Sequence, residues 1–187
     1  MAQPAVRIRR DGVEDAEALA AFAARTFADT YAAQNRPEDM EAHLASAYGE
    51  AQQRAELADP AVVTLLAEDG VAFAGYAQVR PGRAPECVRH PGAHELHRFY
   101  VARAHHGRGV AHLLMHAVLV AARERGATHL WLSVWERNPR AIAFYAKMGF
   151  ERAGTTYFHV GRDRQDDLVL VVSTGAGDAG GTPNPEA

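Results

Sequence analysis

The sequence predicts an α/β (α+β) fold: one mixed, mostly antiparallel sheet of about six to seven strands with helices on both faces. Three observations lead there. Short apolar or alternating runs, bounded by turn residues, recur along the chain. One amphipathic helical stretch crosses between two of these runs, as a parallel pair requires. The 187 residues, 48% hydrophobic and 23% charged, suit a single domain with a real core.

Taken in order, Val6 to Arg10 alternates apolar and basic residues and reads as a short strand. Asp11-Gly12 is a turn. Val13 to Phe27 reads as a helix with Ala16, Leu19, Ala20, Ala23 and Phe27 on one face, closed by Asp29-Thr30-Tyr31. Pro37 opens a second helix with acids in its first turn, where they complement the dipole. Met40, Leu44 and Tyr48 share its inner face. A polar helix follows from Glu50 to Ala58. Val62 to Ala67 and Ala72 to Val79 form a hairpin around Glu68-Asp69-Gly70. Gly75 inside it marks a bulge or a close backbone approach. Arg80 to Gly92, punctuated by proline and glycine, reads as a loop.

Glu95 to Val101 is the next strand. A helix follows to about Arg125, with Val110, Leu113, Leu114, Ala117, Val118 and Ala121 on its stripe, and Gly126 ends it. His129 to Trp135 is a strand. Asn138-Pro139 caps and starts another helix, with Ile142, Tyr145, Ala146 and Met148 near its inner faces. Phe150 to Ala153 and Asp167 to Val172 read as two short final strands, with Thr155 to Asp166 connecting them. Residues 173–187, rich in glycine and proline, read as a disordered tail.

Composition narrows the function. A net charge of −3 gives no reason to expect a nucleic-acid or membrane binder. Cys87 is the only cysteine, so no intrachain disulfide forms. No apolar stretch is long enough to span a bilayer, and the N-terminus lacks the apolar region of a secretory signal. A cytoplasmic enzyme or binding domain is expected.

The stretch that organises the rest is His106-Gly107-Arg108-Gly109-Val110-Ala111. It joins a strand to a helix whose first N–H groups have no partner within the helix. The helix dipole adds positive character there, and glycine lets an anion approach the backbone closely. The same spacing also suits a plain glycine-bearing connection.

Two motifs together resemble the GCN5-related N-acetyltransferase (GNAT) superfamily. The loop is similar to its Gln/Arg-x-x-Gly-x-Gly/Ala signature, with His106 in the first position. More specific is the stretch from Asn138 through Ala141, Phe144 and Tyr145 to Gly149-Phe150. The wording from Val134 to Asn138, and Gly161 to Leu168, most resembles the PaiA-type branch, which is associated with polyamine acetylation. The resemblance implies a single GNAT domain over residues 1–172, with two splayed central parallel strands ending near Val101 and Val134.

It further implies acetyl transfer from acetyl-CoA to a primary amine, best a polyamine or another small amine. The pantetheine arm would bond to backbone around Val101 and Arg103. The diphosphate would sit on the amides of Gly107, Arg108, Gly109, Val110 and Ala111. Asn138 would cap its helix and touch the cofactor. Tyr145 is the candidate general acid, protonating the leaving thiolate. The amine must lose a proton, since free alkyl ammonium groups titrate near pH ~10. Glu95 leads as its base, on the expectation that half burial raises its pKa. Glu136 and His97 are further candidates, and Tyr31 is placed beside the acceptor.

Other readings stay open. The chain is alternatively an acyl-CoA-binding regulatory module with little turnover, or an acetyltransferase for protein lysines or N-termini. A phosphate-loop nucleotide binder is disfavoured because no Gly-Lys-Ser/Thr follows the loop. Cys87 is not expected to carry the acetyl group, because the family transfers it directly. His112 and His116 are expected on a solvated helix face, and no metal is expected. The chain is taken as a monomer or homodimer.

Overall fold

The computed structural model describes residues 6–160 and 163–175. Its strands are β1 (Arg7–Arg10), β2 (Val63–Asp69), β3 (Ala72–Pro81), β4 (His94–Val101), β5 (His129–Trp135), β6 (Glu151–Val160) and β7 (Asp163–Ser173). The helices are α1 (Ala16–Tyr31), α2 (Pro37–Ala47), α3 (Glu50–Ala58), α4 (Val110–Glu124) and α5 (Pro139–Lys147). One seven-stranded sheet runs in the order β1-β2-β3-β4-β5-β7-β6. Every neighbouring pair is antiparallel except β4 and β5. That is the mixed, mostly antiparallel sheet the sequence predicts.

The period-two alternation of the strands assigns the two faces. Leu65, Ala77, Val79 and Leu96 pack with Leu114, Met115 and Val118 of α4 and Tyr145 of α5. Leu66 and Tyr76, on the opposite face, pack with Leu19, Phe22 and Phe27 of α1 and Met40 of α2. α1 buries Ala16, Leu19, Ala20, Ala23 and Phe27, the stripe its periodicity predicts. A buried polar brace ties α3 to this second face. Arg98 pairs with Glu56, donates to Gln78 Oε1 at 2.7 Å and to the Ala47 carbonyl at 3.0 Å, and lies over the Tyr48 ring.

The centre of the sheet is where order gives way. β4 and β5 pair only at His94 with Leu130 and at Glu95 with Trp131, and beyond that they separate. A bulge helps to turn β4: Gln78 opposes Arg98 and Val79 opposes Leu96, leaving His97 as the extra residue. Gly75 permits the close approach that its position suggested, for a Cβ there would stand 2.8 Å from the Tyr100 carbonyl oxygen.

Several sequence expectations need correction. β6 and β7 form one long hairpin, so most of the Thr155 to Asp166 connection is strand. β6 lies at the sheet edge with an exposed outer face, which makes its residues polar and loop-like in sequence. Leu113 is 44% exposed, because the buried stripe of α4 is centred on Leu114, Met115, Val118, Ala121 and Ala122. Ala146 is exposed on α5, and Ala141 and Phe144 pack inward instead. Ser173, placed in the tail, ends β7, and the buried Thr174 hydroxyl donates to the Ala127 carbonyl at 2.6 Å. The tail from residue 176 onward lies outside the described residues, as do Gly161 and Arg162.

Candidate active site

Where β4 and β5 part, a cavity of about 610 Å³ opens. It is lined by the carboxyl half of β4, by Leu132, Ser133 and Val134 of β5, by the loop before α4, by α5, and by Thr30 and Tyr31 of α1. The loop side is made of backbone. Gly107 and Gly109 hold positive φ angles of 74° and 83°, a region that L side chains rarely adopt. A Cβ at either position would meet nothing within 4 Å. α4 begins directly after Gly109 with no side chain capping it, so its first-turn amides are available to an anion. Gly107, Gly109, Ala111 and His112 line the cavity there. Volume, conformation and free amides together fit a diphosphate.

Side chains fix the loop from below. His105 Nε2 lies 3.0 Å from Asp69 Oδ2 at the end of β2. His106 Nε2 donates to the Val101 carbonyl at 2.9 Å, and its Nδ1 receives Arg140 Nη1 of α5 at 2.6 Å. Burial lowers the His106 pKa, and Arg140 and Arg103 add to that. The neutral ring therefore bridges the end of β4 to the start of α5. A neighbouring cavity of about 250 Å³ takes in Arg103, Arg137 and Arg140 as well as Asp29 and Asn138. Three arginines suit that cleft to an anionic group.

Tyr145 lines the cavity from α5 and is 8% exposed. Burial pushes its phenol well above the ordinary range, with a smaller contribution from Tyr31, so it carries its proton at neutral pH. Asn138 caps α5, accepting the Ala141 amide at 3.2 Å, and lines both cavities. Tyr31, last residue of α1, packs on Trp135 with centroids 5.9 Å apart. Its phenol is pushed up to about 12 by burial and by Asp167, with Tyr100 and Asn138 opposing.

The remaining candidates fare differently. Glu95 does not line the cavity. Arg80 Nε donates to its Oε2 at 2.7 Å and His97 Nδ1 comes to 3.5 Å from Oε1. Burial alone would raise its pKa, but the His97 and Arg80 contacts outweigh burial and hold it low. The expected upward shift is therefore reversed. His97, the bulged residue of β4, does line the cavity. Glu136 lines neither cavity and lies on the exposed turn after β5, 3.9 Å from Arg137. The Arg108 amide already donates to the His105 carbonyl at 3.4 Å, and Val110 is buried under the loop. Arg103 borders the second cavity only. Cys87 packs against Gly154 of β6, away from the cavity. His112 borders the cavity, edge-on to Phe144. Among the described residues no group of three His, Cys, Asp or Glu is placed to hold a metal, and no helix is long and apolar enough to cross a membrane.

Sequence reasoning missed Ser133 and Asp167. Ser133 had a signal: it alternates with Trp131 and Trp135 on the face of β5 opposite the apolar Leu130, Leu132 and Val134. Asp167 had none, because its burial comes from β5 and α1, far away in sequence.

A family model for the acetyltransferase (GNAT) family matches residues 24–150. An uncharacterized N-acetyltransferase of Mycobacterium tuberculosis is 36% identical over 157 residues, covering 84% of this chain and 96% of that protein. The crystal structure of a PaiA N-acetyltransferase from Thermoplasma acidophilum with coenzyme A is similar with a TM-score of 0.73 and 18% identity, over 90% of this chain and 99% of the other. A ribosomal-protein-alanine N-acetyltransferase from Brucella melitensis is similar with a TM-score of 0.63 and 28% identity, over 89% and 99%.

Proposed function

This chain belongs to the acetyltransferase (GNAT) family and is an acetyl-CoA-dependent N-acetyltransferase, and from that premise we propose that its acceptor is a small primary amine, with polyamines the first class to test. The observation that supports this is the continuity of one cavity. It runs from the backbone amides before α4 to Tyr31 and Ser133 on the α1 face. A thioester aimed from one end meets a nitrogen arriving from the other.

Acetyl-CoA supplies the activated acyl group; the chain does the rest. Amides of Gly107, Gly109 and Ala111 bind the diphosphate, in the place and polarity of a helix N-terminus. Arg140, bound to His106, and Arg103 lie where further phosphate charge is welcome. Asn138 and the end of β4 orient the arm between the splayed strands. Tyr145 holds a proton on its hydroxyl beside the point where sulfur leaves, and its raised pKa keeps that proton in place until a thiolate develops. The same reading sets the enzyme in the cytoplasm, where acetyl-CoA is at hand.

A second reading also has support. The Brucella melitensis structure similar to this chain is a ribosomal-protein-alanine N-acetyltransferase, which directs attention to peptide N-termini. A CoA-release assay separates the two, with spermidine, spermine, simple monoamines and alanyl peptides as acceptors. Turnover with the small amines supports the proposal. Turnover with alanyl peptides alone contradicts it.

A further inference from the structure

The acceptor end of the cleft holds a carboxylate that none of the roles above uses. Asp167 of β7 stands opposite Trp135 of β5 and Thr156 of β6. It is 7% exposed. Ser133 of β5 lies two residues before Asp167's register partner Trp135, on the same face of the sheet, and lines the cavity together with Tyr31. Among the described residues, no arginine, lysine or histidine forms an ion pair with it. The titratable groups that act on it are Tyr31, which faces it from α1, and Asp166, the preceding residue of its strand on the opposite face. The nearest cation on the strand, Arg164, is spent on Asp166 at 3.3 Å.

A carboxylate taken out of water without a counter-ion is costly, and proteins pair such groups or neutralise them. Among the described residues there is no counter-ion for it, yet the structure leaves an open cavity beside the neighbouring Ser133. An ammonium entering that cavity supplies the missing charge.

Resting on the amine-acceptor reading above, we infer that Asp167 draws the substrate ammonium to the acceptor end and receives its proton through the Ser133 hydroxyl. The ammonium gives one N–H proton to Ser133 Oγ while the Ser133 O–H proton passes to an Asp167 oxygen. One N–H bond breaks, one O–H bond forms on Asp167, and Ser133 ends as it began. Nitrogen keeps the electron pair it needs to attack the thioester carbonyl. The two charges vanish together, so the transfer leaves no buried ion behind. Burial, reinforced by Asp166, pushes Asp167 up to about 6 against the opposing influence of Ser133, and this makes it a better proton acceptor than an ordinary carboxylate. Because it works through Ser133, Asp167 is a positioning and relay residue.

The test compares wild type, Asp167→Asn and Asp167→Glu by CoA release from pH 5 to 9. It uses one alkylamine acceptor and one arylamine that is neutral throughout, with CoA affinity as the check on folding. Asp167→Asn is expected to lose at least about 100-fold in kcat/KM for the alkylamine. The acid limb near pH 6 should vanish, CoA affinity should stay within threefold, and arylamine turnover should stay within a few-fold. Asp167→Glu, which keeps the charge, should recover part of the rate, and it carries the test if the Asn variant does not fold. Full alkylamine activity with an unmoved limb in Asp167→Asn overturns the inference. If wild type acetylates no amine, the function proposed above fails by itself. Carboxyl ¹³C titration of Asp167 in the free protein then decides this inference. A downward shift of its pKa on adding ethylammonium supports it, and an unmoved titration overturns it.

Discussion

The two ends of the cleft are built on different plans. The donor end is main chain: one continuous loop, two glycines at positive φ and the uncapped start of α4. The acceptor end is side chain: Tyr31 from α1, Ser133 from β5 and Asp167 from β7, brought together from three distant segments. Backbone amides recognise any suitable diphosphate, whereas a set of side chains can be exchanged to suit a different nitrogen. In this reading the diphosphate is held by parts that, the two glycines apart, do not depend on side-chain identity.

The same contrast separates two carboxylates. Glu95, beside Trp131 where the strands still pair, is held by Arg80 and His97. Asp167, beside Trp135 where they have parted, has no cation paired with it among the described residues. A carboxylate already stabilised as an anion is a poor proton acceptor. A destabilised one is a good one, and burial alone does not distinguish them.

The sharpest way to break the comparison is at the donor end. Gly109→Asp forces a side chain onto a φ of 83° and puts negative charge at the proposed diphosphate site. CoA binding measured by calorimetry should be lost, a drop of at least about 100-fold in affinity. Retained affinity would move the donor site elsewhere. Next is Tyr145→Phe, which removes the proposed acid and keeps the ring packing. It should lower kcat by roughly 10²–10³-fold with CoA affinity within a few-fold. Unchanged turnover would remove Tyr145 from the mechanism. Glu95→Gln is the smaller change. The rate should fall less than about tenfold and the acid limb should stay in place, whereas a displaced limb would give Glu95 the role assigned to Asp167.

The smallest effect concerns stability and its sign. Asp167 folds with its pKa raised to about 6, so the native state binds the proton more tightly than the unfolded chain does. Its contribution is therefore favourable at low pH and is lost as pH rises from about 4 to about 6. Asp167→Asn should then be more stable than wild type at pH 8, by about 1–3 kcal/mol. The two proteins should converge near pH 4. Denaturant melts at the two pH values check this, and equal stability at pH 8 would mean that the carboxylate has found a partner.

How much of this the sequence reveals follows from the same division. The donor loop, the cap at Asn138 and the tyrosine at 145 are local features. Glycines and helix starts mark the first two without knowledge of the fold, and the family's motif along α5 marks the third. The acceptor end depends on which strands meet, and β7 joins β5 only through the sheet order. Glu95 is picked out by the family resemblance, counted back from the loop motif, but Arg80 comes to it from β3 across the sheet. The β6–β7 hairpin was hidden for a simpler reason. An edge hairpin wetted on one face shows polar residues such as Thr155, Thr156 and Arg164, and those look like a loop.

The central claim, that main-chain amides before α4 grip the diphosphate and so aim the thioester toward Tyr145 and the α1 face, is tested most directly by adding CoA to ¹⁵N-labelled protein. The amides of Gly107, Gly109 and Ala111 should show the largest chemical-shift changes, saturating together at one dissociation constant. If those three amides stay still while others saturate, the cofactor lies elsewhere and the account is contradicted.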